Sequence, residues 1–408
     1  MNNIFKIALR NLFRYKRRTL LTSSLIAAGI MVVIVFSGLS SSFKASMISV
    51  ITDSTLSHLQ VHKKGYVESI ENIPLTIYMT AKEVQDVQTI FKKQKNVDSF
   101  SPRIKFGGMV SNYLQTSNVR ITAVFPDMED KVCPALTKRI KGIKNKETFI
   151  SSGEIIVPDI IKKGLNVNIG DELVIIATNR TGAVNAMPFK IVGILEGTAG
   201  PQSKDCYIHI NDAQNLLMME EPEISEIAVR VNDFKFLKSV YSNFKKDTLD
   251  GNLFEIHTWE ELSPFSSISK IVDLLNMMVK VILMFIVLVS ILNIIVMSVY
   301  ERTSEIGTIG AIGTPPNKIL GLFLAEGLSL GIISSVIGVV TGVFIIIVLN
   351  IIKISFKFGV IDLVLSPSIP VKDIFMVVFV VVIISILASL QPAYKASRLE
   401  PVDALRNV

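Results

Sequence analysis

Charged residues are absent from four long stretches of the chain: residues 19–43, 281–300, 327–352 and 374–394. About 20 apolar residues of α-helix cross the hydrocarbon core of a bilayer. Each stretch therefore predicts a transmembrane helix, because lipid offers no partner to an unpaired backbone amide. The third span is expected to begin near Ile319, ahead of Glu326. The first stretch is too long for a cleaved leader, and no small-residue cleavage site follows it. Upstream of the second stretch, Ile268, Ile271, Val272, Leu275, Met278 and Val279 recur at helical spacing, with Lys270, Asp273 and Lys280 off their stripe. Residues 266–300 thus predict one helix longer than the bilayer is thick, stalk and second span together. At the N-terminus Ile4, Ile7 and Leu9 mix with Lys6, Arg10 and Arg14. Residues 1–18 predict an amphipathic helix lying at the headgroups.

Between the first two spans the pattern changes. Residues 44–265 alternate short apolar runs with Gly, Pro, Asn and Asp, as at 153–158, 172–176 and 189–195. Such runs are strand-like. Residues 81–93, 158–164 and 211–219 predict helices. The fold class is an α-helical membrane protein with four transmembrane helices and a large α+β domain inserted between the first and second. After the stalk and second span come a loop over 301–318, a third span over 319–352, a short loop over 353–373, a fourth span over 374–394 and a tail over 395–408.

Composition narrows the classes. Half of the residues are hydrophobic and 19% are charged, against about 25% charged in soluble domains. That excludes a wholly soluble enzyme and a disordered scaffold. The net charge of +7 is unevenly placed: residues 44–280 hold 28 basic and 28 acidic residues, and the remainder holds 14 and 7. A nucleic-acid binder would carry its excess on the folded domain, so no nucleic-acid partner is expected. Here the excess lies beside the spans, where Lys and Arg mark the cytoplasmic side. Lys6, Arg10, Arg14, Lys16, Arg17, Arg18, Arg302, Lys318, Lys395, Arg398 and Arg406 share one side, against Lys353, Lys357 and Lys372 on the other. The termini and the 301–318 loop are expected in the cytoplasm, and the 44–265 domain outside.

Candidate chemistry is sparse. Cys133 and Cys206 both lie in the external domain; they are a candidate disulfide in an oxidising compartment, or two unrelated small residues. His58 and His62 stand four apart, but zinc takes at least three protein ligands. Their alternating context predicts a surface strand, so neither a metal site nor catalytic residues are expected. The Glu220, Glu221, Glu223 cluster reads as a solvated loop. Gly307, Gly310 and Gly313 follow a GxxGxxG spacing without a preceding βαβ strand, and GxxxxGK[ST] is missing. Nucleotide binding by this chain is therefore not expected. The spans carry almost no charge, which argues against a channel.

The 301–318 loop reads as a short amphipathic segment stopped by Pro315 and Pro316, suited to a cytosolic partner. With Glu326 it resembles the FtsX-like permease family of ATP-binding cassette (ABC) systems, which includes MacB and the lipoprotein-releasing subunits LolC and LolE. Glu301, Arg302, Glu305, Ile306, Gly307, Ala311, Ile312, Gly313 and Glu326 fit the family pattern. Three more segments match: Ala8-Leu9-Arg10-Asn11-Leu12 with Arg17-Arg18-Thr19-Leu20, Ser57 to His62 with Gly65-Tyr66, and Pro392 to Arg398 with Pro401 to Arg406. The resemblance spans essentially the whole chain. Gly310 departs from it, standing where the family has Arg or Lys, as do Thr314, Pro315 and Pro316.

What the resemblance implies is a permease subunit of an ABC transporter in a bacterial cytoplasmic (inner) membrane, its external part a MacB-like periplasmic core domain. Glu301, Arg302, Glu305, Ile306, Gly307, Ala311, Ile312 and Gly313 would couple to a separate ATPase, and Glu326, the acid of the third span, would have an orienting or interfacial role. ATP and Mg would enter through that ATPase, leaving this chain without a cofactor or enzyme activity of its own. The other partners would be a second permease copy or paralogue, the lipid bilayer, a lipoprotein and a periplasmic carrier. The work would be mechanotransmission for lipoprotein release. MacB-like export of peptides or drugs, or ATP-driven regulation of an external partner, is the alternative. A membrane-anchored sensor or adaptor is the reading from another class, and the 14 residues after Tyr394 leave little room for its output domain.

Overall fold

The structure is a computed structural model. It describes residues 2–14, 16–143, 148–196, 204–247, 253–263, 266–352, 355–358, 361–364, 366–369 and 371–399. The 400–408 part of the C-terminal motif lies outside them.

Helix α1 (Asn2–Arg14) precedes α2 (Lys16–Ile51), which passes into a π-helical turn over Thr52–Leu56. The uncharged run 19–43 is thus the middle of a longer helix. The α+β part follows in the order β1 (Leu59–Lys63), α3 (Ala81–Lys93), β2 (Val97–Ser111), β3 (Thr116–Val124), α4 (Pro126–Val132), β4 (Ile140–Lys141), β5 (Glu154–Pro158), α5 (Asp159–Leu165), β6 (Glu172–Thr178), β7 (Val184–Leu195), β8 (Asp205–His209), α6 (Ile210–Leu216), β9 (Glu226–Val231), α7 (Leu237–Asp247), β10 (Phe254–Thr258) and α8 (Trp259–Leu262). The chain then runs through α9 (Ser266–Glu301), α10 (Thr303–Ala311), α11 (Pro316–Ile352), the hairpin β11 (Ser355–Phe358) and β12 (Ile361–Val364), and α12 (Val371–Ser397). Contacts divide it into two units, 1–45 with 269–355 and 364–408, and 46–268 with 356–363.

In the helical unit, four helices are long and apolar enough to cross a membrane. Their buried side chains form one cluster, including Ile30 and Ile34 of α2, Val287 and Ile291 of α9, Phe323 and Leu330 of α11, and Val381 and Ile384 of α12. Bulky residues face outward instead: Phe285, Phe344 and Phe379 are each about two-thirds exposed, as suits a helix whose solvent is lipid. Small residues set the helix spacing. A Cβ on Gly331 would lie 2.0 Å from Ser385 Oγ on α12, and one on Gly338 would lie 2.7 Å from the Ala27 carbonyl oxygen on α2. Helix α11 thus turns one glycine toward α12 and another toward α2.

The α+β unit is built around β2. Its neighbours close a ring of six strands: β2 pairs β3, β3 pairs β8, β8 pairs β5, β5 pairs β7, β7 pairs β6, and β6 returns to β2. This barrel is filled by Phe106, Ile121, Ile155, Ile175, Ile191 and Ile208, all fully buried. An open sheet extends from the first half of β2 through β9, β1 and β10. Gly107 and Gly108 stand where β2 leaves β9 for the barrel; a Cβ on Gly108 would meet the Ile176 carbonyl oxygen at 3.0 Å, the close backbone approach that selects glycine. Helix α3 starts at a capping box, Thr80 with Glu83, and buries Val84, Val87 and Phe91.

One face of the open sheet is polar and buried. Arg103 of β2 donates to Glu129 of α4 from Nη2 at 2.6 Å and from Nε at 3.0 Å, to Glu226 of β9 at 2.9 Å, and to the Thr55 carbonyl at 2.7 Å. A guanidinium 1% exposed survives there because two carboxylates pair it.

Three expectations are corrected here. His58 is buried just ahead of β1, and His62 sits on that strand, but β1 lies between β9 and β10 and the residue is fully buried. Its polar alternation faces the buried polar layer rather than water. The candidate disulfide is not formed: Cys133 and Cys206 are free and buried. Cys133 ends α4 against Arg103, 3.2 Å from Nη2, whereas Cys206 lies on β8 opposite Ile121. The acidic cluster is not wholly solvated either, since Glu223 pairs with Arg180 at 2.9 Å.

Candidate functional site

The site forms where α9 ends. Arg302 leaves the helix at φ −116°, ψ 17°, and α10 begins at the next residue. This break turns the guanidinium inward. Arg302 Nη1 donates to Glu326 Oε1 on α11 at 2.8 Å, and Nε donates to Glu305 Oε2 on α10 at 3.0 Å. Its planar fork suits two acceptors at once. Phe323 closes one side, 5.9 Å from the guanidinium carbon. Helix α1 supplies the other arms: Asn11 Nδ2 donates to Glu326 Oε1 at 2.7 Å, and Arg14 pairs with Glu305 at 3.2 Å. Residues of four helices are thereby tied through one arginine. The carboxyl of Glu305 is held below its ordinary range, first by the hydrogen bond from Arg302. A cavity of about 30 Å³ adjoins the pair, lined by Asn11, Thr19, Ser298, Arg302 and Glu326 among others. That is room for about one water.

The loop after Arg302 has a built stop. The Gly313 amide donates to the Gly310 carbonyl at 2.9 Å, and the Thr314 amide to the Ile309 carbonyl at 3.2 Å. This is a Schellman pair, and it needs a left-handed residue, met by Gly313 at φ +91°. Pro316 then opens α11 at its first position, where a missing amide hydrogen costs nothing.

The family motif therefore divides. Arg302, Ile306 and Gly307 are buried and anchor α10. Glu301, Ala311, Ile312 and Gly313 are exposed, with Ile312 at 81%. Glu305 stands between the two sets, paired yet partly open. Glu326 belongs with the anchors, at 2% exposure. Sequence reasoning misses Asn11 and Arg14 as site residues; the Ala8 to Leu12 motif holds the one signal, for Asn11, and Arg14 lies outside it. Among the described residues no group of three His, Cys, Asp or Glu side chains is placed to hold a metal.

A second polar layer lies at the other end of the same helices. Asp373 of α12 pairs with Lys280 of α9 at 3.0 Å and accepts from Ser37 of α2. Lys44 of α2 pairs with Asp273 of α9 at 2.7 Å. From Lys280 to Arg302 is about 33 Å at 1.5 Å per residue, close to the hydrocarbon thickness of about 30 Å.

Four apolar helices bracketed by ion pairs, with a folded α+β unit and an exposed helical tip, define a multi-pass membrane protein. The MacB-like periplasmic core domain profile matches residues 19–243, and the FtsX-like permease C-terminal profile matches residues 277–401. The chain belongs to this permease family of ABC transporters. It is 26% identical over 222 residues to an uncharacterized ABC transporter permease, MJ1507, of Methanocaldococcus jannaschii, covering 53% of this chain and 55% of that one. The lipoprotein-releasing system transmembrane protein LolC of Xylella fastidiosa is 22% identical over 301 residues, 69% of this chain and 71% of LolC. The macrolide export ATP-binding/permease protein MacB of Bdellovibrio bacteriovorus is 22% identical over 341 residues, 79% of this chain and 49% of MacB. The chain thus spans about half the length of two of these relatives.

Proposed function

We propose that this chain is the transmembrane subunit of an ABC transporter that works by mechanotransmission. A separate ATPase binds the exposed tip of α10 around Ile312, and its ATP-driven closure moves α10. The Arg302 junction passes that movement into α9 and α11, and the α+β domain changes shape outside the membrane. The observation that carries this reading is the division of the loop: an apolar side chain fully presented at one end, and a four-helix ion-pair junction at the other. An exposed isoleucine on a rigid, capped tip suits a protein partner better than water. Two permease chains and two ATPases form the assembly, with both termini in the cytoplasm. Lipoprotein release is the work we assign, supported by the LolC match, which covers more of its relative than the MacB match does.

The test is reconstitution of the chain with its ATPase. Gly313→Val forces a β-branched residue into a left-handed position, at a cost of roughly 1–2 kcal/mol, with open space around the Cβ. ATP hydrolysis is expected to lose its dependence on the permease while the helices stay folded. Full coupling in that variant would remove α10 as the docking element.

A further inference from the structure

The buried polar face of the open sheet holds one group without a settled protonation state. His62 of β1 is fully buried, and neither ring nitrogen has a hydrogen-bond partner among the described residues. A neutral imidazole buries one N–H, which is costly with nothing to receive it. A protonated one buries a charge, which is costly without a pair. The pair is within reach: Nε2 lies 3.7 Å from Glu226 Oε2, too long for a hydrogen bond but short for a small shift.

The surroundings fix the balance. On β9, Glu226 faces the ring. On β2, Lys105 holds Glu226 Oε2 at 2.9 Å and Arg103 holds Oε1 at 2.9 Å, with Glu129 behind Arg103. On β10, His257 approaches to 5.8 Å between ring centroids, and Glu255 is the register partner of His62. After β1, Tyr66 stacks on the imidazole at 5.1 Å. On β1 itself, the Gln60 amide donates to the Leu56 carbonyl at 3.0 Å. Of the two cations that hold Glu226, Lys105 has a partly open side chain, 21% exposed, and Arg103 does not, so Lys105 can leave for water whereas Arg103 cannot. Burial holds the imidazole below its ordinary value, partly opposed by Glu226.

We propose that this cluster is an acid-sensitive switch in the α+β domain: protonation of His62 draws Glu226 Oε2 from Lys105 and loosens the β10–β1–β9 edge. The proton comes from solvent, and the freed Lys105 keeps its charge in water. Above pH 6.5 the site is neutral at His62 and the edge is closed. As pH falls below that value, the folded state takes up the proton only by rearranging.

The full chain in detergent micelles is followed by amide hydrogen exchange between pH 7.5 and 5, corrected for intrinsic rates. The emission of Trp259, the single tryptophan, is read beside the edge. His58, pushed down to about 4 mainly by its burial, loses its own stability from pH 6.5 downward and so within this window; every chain compared therefore carries His58→Asn. Peptides over 59–63 and 254–258 are expected to lose protection by about fivefold or more as pH falls, and His62→Gln abolishes the loss. An unchanged profile with His62 in place, or an equal loss in His62→Gln, overturns the proposal. If that variant fails to fold, Lys105→Met decides: removing a neighbouring positive charge moves the midpoint to higher pH, and an unmoved midpoint refutes the switch.

Discussion

Removing the charge of Glu326 tests the junction at its centre. The Arg302–Glu326 pair lies 2.8 Å apart, with side chains 9% and 3% exposed. At an effective dielectric constant near 20, two unit charges at that distance attract by about 6 kcal/mol. Desolvation of both ions returns several kcal/mol of this, which leaves a net coupling of roughly 2–3 kcal/mol. Arg302→Ala alone should cost more than the coupling, roughly 3–5 kcal/mol, because Glu326 stays buried with a charge and loses its cation. Glu326→Gln should cost less, since the amide still fills the space. The double variant should lose clearly less than the two singles combined. The assay is unfolding of the purified chain in mixed micelles of rising SDS fraction, followed by helical circular dichroism. Costs under about 0.5 kcal/mol for both singles, or additivity within that margin, would refute the claim that Arg302 locks α9 to α11.

Other outcomes are expected from the same structure. Gly331→Leu places a Cβ 2.0 Å from Ser385 Oγ and should destabilise the α11–α12 contact by about 2 kcal/mol or more; the same micelle titration reads it. Two thiols should stay silent to Ellman's reagent in the folded chain and both react after denaturation without reductant. Burial pushes the Cys133 thiol up to about 12, and recovery of fewer than two thiols would restore a disulfide. His58 should make the α+β domain acid-labile. Its folded value, lowered to about 4 by burial, lies below the ordinary 6.5, so its stability is intact above pH 6.5 and lost as pH falls toward 4. The loss reaches about 3 kcal/mol, and thermal melting of a His58→Asn variant should show a flatter pH profile over that range.

The four long helices were legible because an uncharged run of 20 residues has few other fates. Their ends were legible only in part: the apolar stripe over 266–300 marks α9 as Ser266–Glu301, whereas α2 continues beyond its uncharged run, since Lys16, Arg17 and Lys44 are as helix-compatible as leucine. The strands at 154–158 and 172–178 show in local apolar runs. Closure of the barrel does not, because it depends on β2 pairing β6 over 60 residues away and on β3 pairing β8, with Arg120 opposite Asp205. The motif over 301–313 named the right stretch but not its two faces. Spacing cannot show that Arg302 breaks the helix and turns inward, and only the fold brings Asn11 and Arg14 to it. His62 misled for a similar reason: alternation marks a strand, yet whether its polar face meets water or Glu226 is a tertiary matter.

The central claim is that a separate ATPase docks on the tip of α10. Purification of the chain from its native membrane in mild detergent, with mass spectrometry of what accompanies it, tests this most directly. The account predicts a P-loop ATPase with the wild-type chain and its loss from an Ile312→Asp variant that still folds. A chain that emerges without any such ATPase across several detergents, or an Ile312→Asp variant that retains it, would contradict the account.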